Sequence, residues 1–285
     1  MEDSRTHVPW WARGPRIVVA CFSGLVGIGK STLIKRLRKT GFLRDALPAN
    51  VHVSFLREPS HEWQKKGWLG RFYADRSHNA AAFQLQVFCS YVAAVEEHLK
   101  TEKVPTHCDT HVVIIERSMH CQRMFWTLQR EDGMKTADDN YNEAYVMVWK
   151  RWLDFIPPVN ILFMFKTADI NTTMRRVQAR ARAEELGASL SSAEDQPLNA
   201  SCVALATADA PPIQEVGGFT LAYQERLQRL HLSWLTEPRA YPLDGPAEGI
   251  ACVHIDADAP FHVDDGSLQT LATLMARHIM AQIPK

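Results

Sequence analysis

Eight residues near the start of the chain, Gly24-Leu25-Val26-Gly27-Ile28-Gly29-Lys30-Ser31, have the types and spacing to hold a phosphate. They fit G-x-x-x-x-G-K-[ST] at Gly24, Gly29, Lys30 and Ser31, with Thr32 behind. Glycines at such positions allow backbone angles that turn several N–H groups inward, and a helix starting there presents its positive end to the anion. Lys30 supplies a point charge for the β- and γ-phosphates, and the Ser31 hydroxyl is placed to ligate Mg²⁺. Gly27 and Thr32 complete the expected nucleotide-holding set.

A loop of this kind shows only that a nucleotide phosphate is held. Transfer to an acceptor needs an acceptor pocket, a base for the acceptor hydroxyl and cations over the moving phosphoryl group. Three charged clusters offer these. Arg57-Glu58-Pro59-Ser60-His61-Glu62-Trp63 brings a carboxylate beside a stiff proline turn, and Glu116-Arg117-Ser118 sets an acid next to a guanidinium. An acid at a strand end can hold Mg²⁺ through oxygen or water, while an arginine can bridge base and phosphate. In Arg175-Arg176-Val177-Gln178-Ala179-Arg180-Ala181-Arg182, Arg176 and Arg180 share one helix face, and acids Glu184 and Glu185 follow. Taken singly, each cluster also reads as solvated loop or helix charge. A base-reading N-K-x-D segment, which a GTPase switch would need, does not occur.

The elements that must position these residues are legible as short β-branched, apolar runs. Residues 16–22, 51–56, 111–115, 159–165 and 251–255 read as strands. Helical spacing covers 30–39, 80–101, 118–131, 139–155, 168–186, 217–235 and 267–283. Strands alternating with helices predict a parallel sheet with helices on both faces. In such sheets the ligand site lies beyond the carboxyl ends of the strands, where Gly24, Glu58 and Glu116 fall. We expect residues 1–15 to be an extension and 16–285 a single domain. The Ala-, Ser-, Asp- and Pro-rich stretch at about 187–217 is expected to be a disordered insertion.

Composition narrows the partners. Lys plus Arg equals Asp plus Glu at 32 each, so no basic excess points to nucleic acid. Hydrophobic residues make up 46% and charged residues 22%, and no apolar run approaches the ~20 residues of a membrane span. Six scattered cysteines without a CxxC pair read as free thiols of a reducing cytoplasm. Glu2 and Asp3, with no apolar stretch behind them, argue against a secretory signal.

Together, EPSHEW at 58–63, Phe83-Gln84, ERS at 116–118 and RARAEE at 180–185 resemble the deoxynucleoside kinases of the thymidine kinase 2, deoxycytidine kinase and insect multisubstrate type. The resemblance runs from about residue 16 to 256. It implies a P-loop kinase fold with a five-stranded parallel sheet and a lid, and a homodimer that uses ATP and Mg²⁺ in nucleotide salvage. It implies Glu58 as general base on the 5′-hydroxyl of a deoxynucleoside, Arg117 as the residue steadying base and phosphoryl group, and Glu116 as organiser of Mg²⁺ with Ser31. Gln84 would read the base edge through its amide, Tyr73 and Glu185 would hold the sugar 3′-hydroxyl, and Trp63 would wall the pocket. Arg176, Arg180 and Arg182 would be the lid cations over ATP. The chain departs from the pattern at Ser23, where an acid commonly precedes the first glycine. It departs again at Tyr91 and Gln122, which match positions that read the base. Pyrimidines, thymidine or deoxycytidine, are the favoured acceptors.

Two other readings are open on the sequence. A nucleoside monophosphate kinase shares the architecture but needs further cations for its acceptor's phosphate. A module that senses ATP without turnover needs only the loop, and leaves the base, metal acid and lid arginines without a purpose.

Overall fold

The computed structural model describes residues 9–134, 138–153, 155–180, 220–236 and 250–283. Among them, five strands form one sheet: β1 (Arg16–Ser23), β2 (Val51–Leu56), β3 (Thr110–Glu116), β4 (Val159–Lys166) and β5 (Ala251–Asp256). The order is β2-β3-β1-β4-β5, with every pairing parallel. Each expected strand is present, differing by at most a residue at either end. The runs were readable because a parallel strand buried on both faces carries apolar side chains almost throughout.

The period-two alternation of β1 divides the core. Val18, Ala20 and Phe22 face one way, with Val112, Ile114, Ile161 and Phe163, towards α1 (Lys30–Thr40) and α10 (Asp265–Met280). Val19 and Cys21 face the other way, with Val113, Ile115, Leu162 and Met164, towards α5 (Arg76–Thr101), α6 (Met119–Glu131) and α7 (Asp139–Leu153). There Trp126 of α6 stacks on Tyr145 of α7 at 3.9 Å between ring centroids. Helices thus cover both faces, as expected.

Helix ends follow local chemistry. The Asp75 carboxylate accepts from the His78 N–H to start α5, and Asp264 does the same for Ser267 at α10. Helix α7 stops ahead of Pro157 and Pro158, short of the expected 155. Three short helices had no periodic signal long enough to be read: α2 (Phe42–Asp45), α3 (Ser60–Lys65) and α4 (Trp68–Ala74). The remaining α-helices among the described residues are α8 (Ile170–Arg180) and α9 (Leu221–Thr236). The expected insertion at 187–217, and with it Arg182 and Glu185, lies outside the described residues.

A buried polar network joins edge strand β2 to its neighbours. Ser54 Oγ lies 2.8 Å from His98 Nε2 and 2.7 Å from His111 Nε2, and His52 Nε2 lies 2.8 Å from Glu102 Oε1. Burial pushes the His98 imidazole down and, together with His52 and His98, pushes His111 down to about 4. Among the described residues, no helix is long and apolar enough to cross a membrane.

Candidate active site

The register of the sheet sets the chemistry at one edge. Phe22 pairs with Glu116, Ser23 with Met164 and Leu56 with Ile115, so β1, β2, β3 and β4 end level with one another. The loops that leave these ends carry Gly24, Glu58, Arg117 and Thr167.

The phosphate-type loop turns on its glycines. Gly27 has φ +79°, and a Cβ there would fall 2.5 Å from the Thr173 carbonyl oxygen and 2.7 Å from a Val177 methyl. Gly29 has φ +103°, and a Cβ there would meet the His262 ring at 2.3 Å. Both positions need the left-handed backbone and the empty space that only glycine allows. The loop is pinned from outside: the Gln224 amide of α9 donates to the Val26 carbonyl at 2.7 Å, and Arg176 of α8 reaches the Ile28 carbonyl at 3.5 Å. Asp258, just past β5, accepts from Thr167 and from the Ala168 N–H, which fixes the approach to α8.

Lys30 is 4% exposed and folds over the loop, its ammonium donating to the carbonyls of Leu25 at 2.8 Å and Gly24 at 3.2 Å. Burial, with the Arg117 charge beside it, pushes its amine down to about 7, against a smaller pull upward from Glu116 and Glu58. Ser31 opens the next helical turn, and its hydroxyl donates to Glu116 Oε1 at 2.5 Å. This hydroxyl and carboxylate are hard oxygen donors of the kind Mg²⁺ takes. Among the described residues no group of three or more His, Cys, Asp or Glu could hold a metal, so a cation here would complete its shell with phosphate and water.

Glu58 and Arg117 meet from adjacent strand ends, with Oε1 and Nε 3.1 Å apart. The guanidinium also reaches the Gly24 carbonyl at 3.4 Å and lies 4.7 Å from the centroid of the Phe125 ring. A carboxylate and a phosphate loop are thereby tied to one arginine.

Trp63 sits in an apolar cluster with Leu69, Phe72, Ala80, Phe83 and Val87, and Tyr73 packs against it. The Trp63 indole is edge-on to Phe83 and donates to Ser90 Oγ at 2.8 Å, while Phe72 stacks on Phe83 at 4.7 Å. Arg76 lies over the rings of Phe72, Tyr73 and Tyr223, linking α5 to α9. Gln84, next to Phe83, is 3% exposed and its buried Oε1 has no hydrogen-bond partner among the described residues; the buried Nε2 of Gln122, 2% exposed, has none among them either. Buried amide atoms of this kind require partners, and a ligand with a donor and an acceptor would provide them.

The expected residues therefore gather in two groups. Gly24, Gly27, Gly29, Lys30, Ser31, Glu116, Glu58, Arg117 and Arg176 converge at the sheet edge, and Trp63 and Tyr73 share one apolar wall beside Gln84. Thr32 lies in the first turn of α1, half-buried. Arg180 closes α8, one turn beyond Arg176, and the structure does not describe its side chain.

Some neighbours gave no signal in the sequence. Cys121 Sγ lies 3.1 Å from Ser23 Oγ and 3.6 Å from Ser118 Oγ, directly beneath Gly24 and Arg117. Burial raises the Cys121 thiol, but hydrogen bonds from Cys21 and Ser23 and the Arg117 charge outweigh it and hold the group at about 5. Cys21, deeply buried beside it, is pushed up. His262 packs on Gly29 with neither ring nitrogen bonded among the described residues, and burial with the charges of Arg176 and Arg36 takes it down to about 4. These groups are far apart in the chain, and only the fold joins them.

A cavity of about 220 Å³ lies elsewhere. It lies between the sheet, α5 and the end of α7, lined by Val19, Tyr91, Val95, Val113, Met119 and Ile156 among others. It is apolar and holds none of the groups at the loop.

Comparison with known proteins bears on the whole arrangement. The family model described as deoxynucleoside kinase matches residues 20–194, which include the loop, Glu58, Gln84, Glu116 and Arg117. A search of curated proteins gives no match.

Proposed function

Because the chain belongs to the deoxynucleoside kinase family, we propose that it transfers the γ-phosphoryl group of ATP to the 5′-hydroxyl of a pyrimidine deoxynucleoside, thymidine or deoxycytidine. The observation that carries this reading is the Glu58–Arg117 pair held against the phosphate loop through Gly24. A carboxylate suits a neutral hydroxyl as acceptor, because it takes a proton that a phosphate acceptor would not offer. The same feature counts against a nucleoside monophosphate kinase, whose negatively charged acceptor would be repelled.

In this reading Glu58 accepts the proton of the 5′-hydroxyl as that oxygen attacks the γ-phosphorus in line, and the β–γ bridging oxygen leaves with ADP. Arg117 holds Glu58 in place and faces the equatorial oxygens, while Lys30 and Arg176 neutralise charge on the donor side. Gly24, Gly27, Gly29 and Thr32 with their neighbours cradle the phosphates. Ser31 and Glu116 would hold Mg²⁺, which when bound neutralises phosphate charge. Trp63 and Tyr73 exclude water beside the base and sugar. Gln84 Oε1 and Gln122 Nε2, unpartnered among the described residues, supply one acceptor and one donor, which supports a base edge carrying both. Arg180, Arg182 and Glu185 extend the proposal to residues whose side chains the structure does not describe.

The homodimer belongs to the same proposal. Exposed Tyr141 and Trp152 lie on one side of α7, with Phe155 against Trp152 at 5.1 Å between ring centroids. Sedimentation at micromolar concentration would return a monomer if this reading is wrong.

The test of function is a radiolabel screen of the four deoxynucleosides with ATP and Mg²⁺. Turnover of thymidine or deoxycytidine is expected. Turnover of purines alone would remove the pyrimidine assignment, and turnover of none would favour an ATP-sensing module.

A further inference from the structure

We infer that Tyr91 is a positioning residue for Arg117, acting through its phenolic hydroxyl on the arginine's backbone carbonyl. The inference rests on the assignment of Arg117 to the reacting groups.

Arg117 is the one non-glycine residue among those described with positive φ, at 65°. A long side chain occupies the left-handed region at a cost, so its surroundings must hold it there. Its N–H donates to the Phe22 carbonyl at 2.9 Å, prolonging the β3–β1 ladder by one step. The left-handed turn then takes the chain out of the ladder, and the Arg117 carbonyl, inside a residue only 4% exposed, has no strand to pair with. A buried carbonyl without a partner is rare and costly. The partner here is Tyr91, whose hydroxyl donates to that oxygen at 2.5 Å.

Tyr91 is well suited to the task. It sits within α5, a helix of 26 residues, so the hydroxyl is delivered from a rigid element rather than from the loops around the phosphates. It is 1% exposed, and burial pushes its phenol upward, so the proton stays on the oxygen. Tyr91 also lines the apolar cavity of about 220 Å³. Among the described residues no other hydrogen bond is found for this hydroxyl. The sequence pattern matched this position to base reading, but the hydroxyl is taken up by Arg117.

Without the hydroxyl, the Arg117 carbonyl loses its partner and the left-handed turn loses one of its two backbone anchors. The guanidinium then moves relative to Glu58 and Gly24, the two groups it joins. The ATP side, where Gln224 and Arg176 pin the loop, is left in place.

The experiment compares Tyr91→Phe, which removes only the donor, with Tyr91→4-aminophenylalanine, which returns an N–H donor at the same ring position. Both are made in the full chain and assayed well below their thermal midpoints. Tyr91→Phe is expected to lower kcat about tenfold, the scale of one hydrogen bond to a buried group, with KM for ATP unchanged. The amine is expected to restore most of the loss. Wild-type kcat in Tyr91→Phe, or a loss that the amine does not reverse, overturns the inference. Should Tyr91→Phe not fold, Tyr91→4-methylphenylalanine gives the same contrast without the empty space. A crystal structure of the non-donor variant reads the inference independently of turnover. Arg117 leaving the left-handed region supports it, and φ still near 65° overturns it. If the wild-type chain phosphorylates no deoxynucleoside, the proposed function fails, and the crystallographic comparison still decides the role of Tyr91.

Discussion

Glu58 and Arg117 stand 59 positions apart and form an ion pair of 3.1 Å, with the arginine side chain 4% and the glutamate 17% exposed. A pair so enclosed is a weak source of net stability, because removing two charges from water costs much of what their attraction returns. Its meaning is geometric. It fixes a carboxylate where the arginine can also reach the phosphate loop.

Replacing Glu58 tests the base directly. Glu58→Ala is expected to lower kcat by at least ~100-fold, the low end for loss of a general base, while ATP binding measured by calorimetry is kept. Near-normal turnover would remove Glu58 from the base role. Glu58→Gln should lose the same activity with a smaller loss of stability than Glu58→Ala, because the amide still offers an oxygen to Arg117.

Gly27 tests the loop. Gly27→Ala forces a Cβ into the left-handed region and towards the Thr173 carbonyl, a distance of 2.5 Å before any adjustment. We expect a stability loss on the order of 1–3 kcal/mol by chemical denaturation, and ATP affinity that falls with it. A variant that binds ATP normally would show that the loop tolerates a shift of α8.

Glu116 tests the cation site. Glu116→Gln keeps an oxygen for the Ser31 hydroxyl and removes the charge. The Mg²⁺ concentration for half-maximal rate should rise roughly 10- to 100-fold, the range for a residue that supports a metal site. An unchanged Mg²⁺ dependence of both rate and ADP binding would exclude Glu116 from that role.

The buried histidines predict how the fold responds to acid. His111 is held at about 4, His262 at about 4 and His231 at about 3, each chiefly by burial, and His98 is lowered too. Their folded values lie below the ordinary 6.5, so the unfolded chain binds more protons between pH 6.5 and 4. Stability contributed by keeping them neutral is present above pH 6.5 and falls away as pH drops through that window. Urea midpoints measured at pH 7, 6 and 5, above the main carboxylate range, should decrease in that order. A flat profile would mean that these rings are not desolvated in solution.

Part of this molecule was written locally. The five strands announced themselves because each is a short apolar run, and the loop because its glycines and lysine sit at fixed offsets. Short helices such as α3 and α4 were not legible, since six or seven residues do not establish a period. The resemblance matched Tyr91 and Gln122 to base-reading positions at which the chain departs from the pattern; the fold turns the Tyr91 hydroxyl to a backbone carbonyl, and Gln122 Nε2 has no partner among the described residues.

By itself the sequence determined the alternating strands and helices, the phosphate loop from Gly24 to Ser31 and the acids and arginines at the strand ends. These depend on residue type and spacing over a few positions, which local backbone chemistry turns into structure. Only the tertiary structure decided that Arg117 is left-handed, that Tyr91 holds its carbonyl, that Cys121 lies under Ser23 and that His262 closes on Gly29. Each of these is a contact between distant segments. Such contacts exist because burying the two apolar faces of β1 draws the helices together, and no local pattern records which polar groups then meet.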